Sequence, residues 1–82
     1  MNKNKKTIEE IRNLLQKTFP NEKVPKSILG LKLGDLKEWD SLGNFNLLLS
    51  VEDFYNLKFE LNEISNIQSI EKLLETLSKK KY

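Results

Sequence analysis

Apolar residues recur at helical spacing in three stretches of this chain and fall out of step between them, and that rhythm divides it into elements. Ile8, Ile11, Leu15 and Phe19 share one face. Thr7, followed three residues later by Glu10, has the form of a capping box, so a first helix is expected from about Thr7 to Phe19, where Pro20 forbids continuation. From Asn21 to Asp40, Pro25, Gly30 and Gly34 are scattered among Val24, Ile28, Leu29, Leu31, Leu33, Leu36 and Trp39. The stretch is too long for an ordinary connection and too apolar to be disordered, which predicts a packed loop with room for a short helical turn. Trp39 is expected to pack that loop against the rest of the domain, in preference to stacking on a ligand.

A second helix is expected to start at Asp40 or Ser41 and run to about Tyr55, with Asn56 as its stop. On a helical wheel Leu47, Leu48, Val51 and Tyr55 form one broad face, with Phe54 at its margin, and this is the natural core face. Leu42, Phe45 and Leu49 fall on the other side as a second apolar stripe, flanked by Asn46, Glu52 and Asp53. A surface helix of a small domain needs only one buried face. The stripe is therefore either a docking surface or is covered by the preceding loop, and both readings stay open here.

Leu57, Phe59 and Leu61 alternate and are followed by Ile64 and Ile67, too short a run for a sheet of its own, which predicts a turn into a short third helix near Asn62 to Ser65. Ser69 then caps a last helix with Ile70, Leu73, Leu74 and Leu77 on one face, Glu71 in its first turn and Lys79 to Lys81 near its negative end. The expected fold is all-α: a small four-helix bundle with a long first loop, one domain over 1–82, with residues 1–6 a flexible basic terminus and 79–82 a frayed end.

Composition narrows the chemistry. The 82 residues include no cysteine and no histidine, which excludes disulfides, thiolate nucleophiles, the usual zinc ligands and imidazole bases. No metal site is expected. The longest apolar run is Leu47-Leu48-Leu49, and the lysine-rich start is not followed by an apolar segment, so the expectation is a soluble cytoplasmic protein without membrane attachment. Residues 1–34 carry eight basic and three acidic side chains, 35–63 two and seven, and 64–82 four and two. Lys3, Lys5, Lys6 and Lys79 to Lys81 lie at the ends and not on one functional element, which reads as solvated termini and not as a nucleic-acid surface.

One tripeptide carries chemistry. Asp40-Ser41-Leu42 places a hydroxyl where a long loop ends and a helix begins, and a helix start, with unpaired N–H groups and positive dipole, favours an attached phosphate. An ordinary helix cap is the plain alternative for Asp40-Ser41. A hydrolase would need a base beside Ser41, and Asp35, Glu38 and Asp40 show no second member of a triad.

Read outward, Glu38-Trp39-Asp40-Ser41-Leu42-Gly43 followed by Leu47, Val51, Glu52 and Tyr55 resembles the acyl carrier protein family. The resemblance covers nearly the whole chain and is strongest from Leu33 to Leu77. It implies a bundle of acyl-carrier type in which Ser41 carries 4'-phosphopantetheine, flanked by Asp40 and Leu42 as the motif positions. It also implies that Leu42, Phe45 and Leu49 meet partner enzymes, with Glu52 and Asp53 steering. The partners implied are a phosphopantetheinyl transferase working with Mg2+ and the enzymes that load and process an acyl or aminoacyl thioester on the arm. The carrier itself is expected to be a monomer and not an enzyme. The chain departs from carriers of fatty acid synthesis at Gly43 and Asn46, where acidic residues are frequent, so weaker electrostatic docking is expected. An unmodified helical interaction module shares the fold and the stripe and differs in leaving Ser41 bare.

Overall fold

The computed structural model describes residues 5–80, which form four helices: α1 (Lys5–Thr18), α2 (Ser41–Tyr55), α3 (Leu61–Asn66) and α4 (Ile70–Lys80). No strand occurs among the described residues, so the fold is all-α. A single antiparallel bridge joins Lys32 to Ser69.

Helix α1 is already formed at Lys5, which corrects two expectations. Thr7 lies inside the helix and does not cap it, and Lys5 and Lys6 are helical and not part of a loose terminus. Lysine is a good helix former, so nothing in Lys5-Lys6 stops the helix from extending backward past Thr7. The rest of that terminus, residues 1–4, lies outside the described residues. At the other end, Phe19 still donates its N–H to Leu15 O (2.9 Å) before Pro20 ends the helix.

The same correction applies to the C-terminus. Lys79 and Lys80 belong to α4, where they complement the negative end of the helix dipole, and residues 81 and 82 lie outside the described residues. Helix α3 spans one residue more at each end than its spacing suggested, because Glu63 Oε1 accepts from Glu60 N–H (2.8 Å) and so secures its first turn. Ser69 caps α4 as expected, its hydroxyl accepting from Lys72 N–H (3.1 Å).

The core is one contiguous cluster. Ile11 and Leu15 of α1, Leu47, Leu48 and Val51 of α2, and Ile70, Leu73 and Leu77 of α4 are all but fully buried, together with Ile28 and Trp39 of the first loop. Tyr55 completes the core face of α2, half-buried, and donates its hydroxyl to Glu10 (2.8 Å) across to α1. Phe54 lies at the margin of that face. It stands half exposed, edge-on to Tyr55 with ring centroids 4.8 Å apart.

The loop from Pro20 to Asp40 is packed but forms turns and no helix. Its backbone is committed elsewhere. Leu33 N–H donates to Gln68 O (2.8 Å) and Ile70 N–H to Leu31 O (3.0 Å), which lashes the loop to the start of α4. Gly34, at φ +98°, makes the left-handed turn that lets its N–H reach Trp39 O (2.9 Å). The Arg12 guanidinium donates to Val24 O and Pro25 O, both at 2.8 Å, and so ties the loop back to α1. No helix among the described residues is long and apolar enough to cross a membrane.

Candidate functional site

Asp40 sits just before α2 with extended backbone angles, the conformation an N-cap requires. Its carboxylate accepts from Gly43 N–H at 2.8 Å and its carbonyl accepts from Asn44 N–H at 2.7 Å. The cap is thus made by Asp40 alone. Ser41 is the first residue of the helix proper, its side chain is exposed, and its hydroxyl has no hydrogen-bond partner among the described residues. The backbone N–H groups of Ser41 and Leu42 precede the first two that Asp40 satisfies, so the hydroxyl stands beside unpaired donors at the positive end of a 15-residue helix.

Gly43 explains how closely the loop approaches this turn. A Cβ there would overlap Glu38 O and stand 3.0 Å from Phe19 Cε1, so only glycine lets α2 begin against the loop and the end of α1. The sequence did not reveal this steric reason for a glycine at position 43.

Asn44, which sequence reasoning missed, lies on the core face and is 5% exposed. Its Oδ1 accepts from Trp39 Nε1–H (2.9 Å) and its Nδ2 donates to Ile67 O (2.7 Å). An indole N–H can only donate and a carbonyl can only accept, so the orientation of the amide follows from its partners. The available signal was an amide among leucines on the core side of the wheel. Trp39 is packing, as expected: it is 1% exposed and stacks on Phe19 with ring centroids 6.5 Å apart.

The loop does not cover the apolar stripe. Leu42 is 69%, Phe45 43% and Leu49 44% exposed, and Leu61, 84% exposed at the start of α3, is a further apolar side chain in solvent that sequence reasoning did not single out. Of the two acids expected beside the stripe, Asp53 is exposed. Glu52 is half-buried and accepts from Phe59 N–H (2.8 Å), so it holds the connection between α2 and α3. Between Asp40 and Glu52 the chain carries no charged residue. An open groove of about 490 Å3 begins at Leu49 and continues along Asp53, Asn56 and Leu57 at the far end of α2.

The carboxylates considered as bases are engaged elsewhere. Asp35 accepts from Lys32 N–H (2.9 Å), which together with the Lys32 ammonium at 3.3 Å holds its carboxyl below the usual carboxylate range. Glu38 accepts from Asn21 Nδ2 (3.4 Å). Neither is hydrogen-bonded to Ser41. Compared with family models, with curated proteins and with solved structures, the chain matches none.

Proposed function

We propose that this protein is a carrier of the acyl-carrier type: Ser41 bears 4'-phosphopantetheine, and the protein presents acyl or aminoacyl thioesters on that arm to partner enzymes. One observation carries the reading. The Ser41 hydroxyl is exposed and unpaired at the start of α2 because Asp40 has taken over the capping that a serine there would otherwise perform. The outward face of the same helix, Leu42, Phe45 and Leu49, offers a small apolar surface to a transferase or acyl-processing enzyme, with Asp53 as the exposed acid at its end. Such a surface suits brief encounters, and the carrier is read as a cytoplasmic monomer.

In the transfer, Ser41 Oγ forms a bond to the β-phosphorus of coenzyme A as the bond to the departing adenosine 3',5'-bisphosphate breaks. The serine proton passes to a base on the transferase, whose Mg2+ steadies the phosphates. The residues present fit the product: the phosphodiester anion would stand at the free N–H groups of a helix N-terminus, with Asp40 directed back onto Gly43. When attached, the arm supplies the thiol that a chain without cysteine lacks. Coexpression with a broad-specificity phosphopantetheinyl transferase is expected to add one phosphopantetheinyl group, read by intact mass, and Ser41→Ala is expected to abolish the addition. The exposed stripe also suits an unmodified interaction module, and an unchanged mass after that treatment would favour it.

A further inference from the structure

We infer that Asn44 is a positioning residue for Ser41, acting through a clamp from Trp39 to Ile67; this rests on the carrier reading and extends it. Asn44 and Thr76 are the two buried polar side chains among the described residues, and Asn44 stands beside Leu47, Leu48 and Val51 on the core face of α2. An amide there loses its hydration, a cost that an apolar side chain of similar size avoids, so its presence is explained by its bonds.

Those bonds run in opposite directions from the first turn of α2. Trp39 is the last core residue of the loop that delivers Ser41, and Ile67 lies in the joint between α3 and α4. One side chain thus fixes the start of α2 to the loop and to the far helices at once. The other hydrogen bonds of the turn are local: Gly43 N–H and Asn44 N–H both donate to Asp40 itself, a residue that moves with the turn. First turns are where helices fray.

The consequence is specific to transfer. Of the docking stripe, Phe45 and Leu49 lie on the body of the helix and Leu42 in the turn that frays with Ser41, so losing the clamp leaves most of the gripped surface in place and lets the nucleophile wander from it. A displacement of about 1 Å in a reacting group costs on the order of a hundredfold in rate. The clamp therefore acts chiefly on kcat, and reaches docking, and with it KM, only through Leu42.

The test is the pair Trp39→Phe and Trp39→Phe/Asn44→Leu. The double variant replaces both partners of the Trp39–Asn44 bond by apolar groups, so neither end of that bond is left unpaired, and it releases the second bond at Ile67 O. The single variant keeps an aromatic ring and the Ile67 bond. With a phosphopantetheinyl transferase, the double variant is expected to show kcat lowered by about tenfold or more, with KM within about twofold of wild type, and the single variant an intermediate loss. Amide exchange at Gly43 and Asn44 is expected to quicken by about tenfold in the double variant while Val51 and Leu73 keep their protection. Wild-type kcat in the folded double variant overturns the inference. So does unaltered exchange at Gly43 and Asn44, which is measurable even if the transferase leaves the wild-type chain unmodified, the result that counts against the carrier reading instead.

Discussion

Gly43 shows two physical effects opposing each other at one residue. In a solvent-exposed helix, replacing glycine by alanine stabilises by about 0.5–1 kcal/mol, since alanine loses less backbone freedom on folding. Here the new Cβ would overlap Glu38 O, a backbone atom that cannot swing aside as a flexible side chain could, and would press on Phe19. Overpacking of this kind costs about 1–3 kcal/mol, so the steric term wins. Gly43→Ala is expected to lower unfolding free energy by about 1–2 kcal/mol in urea titration, and a stabilised variant would show that the loop yields freely. A cap and helix start at Asp40-Ser41 were legible in the sequence because capping depends on the nearest three residues, whereas the sequence left open which of the two is the cap. The crowding at Gly43 and the two bonds of Asn44 were not, because both depend on where a loop and a distant joint return in space.

At the scale of elements, α2 carries two apolar faces with different fates. The periodicity separated them correctly: Leu47, Leu48 and Val51 are buried, and Leu42, Phe45 and Leu49 stand in solvent. Spacing alone could not say whether the loop covered the second face, since the loop's path is set by its bonds to Arg12 and to the approach to α4, between residues far apart in sequence. Helix edges were legible where a cap or proline marks them, at Ser41, Ser69 and Pro20, and misplaced at the start of α1, where Thr7-Glu10 imitates a cap inside a longer helix. Because the outer stripe contributes little to the core, Leu49→Glu is expected to keep far-ultraviolet dichroism and to shift unfolding free energy by no more than about 0.5 kcal/mol. It should at the same time raise the KM of the transferase severalfold. Loss of the fold would instead assign Leu49 to the core.

Over the whole molecule, the element held least by burial is held by charge. Helix α3 has six residues, none of them buried, and Glu63 is its anchor: one carboxylate oxygen accepts from Glu60 N–H and pairs with Lys80 Nζ at 3.0 Å, joining α3 to the end of α4. The Glu60 N–H above all, with the Lys80 and Lys79 ammonium groups adding to it, holds the Glu63 carboxyl below the usual glutamate range against desolvation, which is second in size to the Glu60 N–H. A carboxyl whose folded pKa is depressed contributes stability that is fully present above its unfolded value and is lost as pH falls through the folded one. Asp35, depressed by the Lys32 N–H and ammonium, acts in the same direction. Glu63→Gln removes the titrating group and keeps its shape. The thermal midpoint of this variant is therefore expected to lie below that of wild type at neutral pH, with the gap closing as pH falls below the ordinary carboxylate range. The pair is partly open to solvent, so salt should narrow the same gap at neutral pH. A gap independent of both pH and salt would mean that the side chain's packing, and not its charge, secures α3.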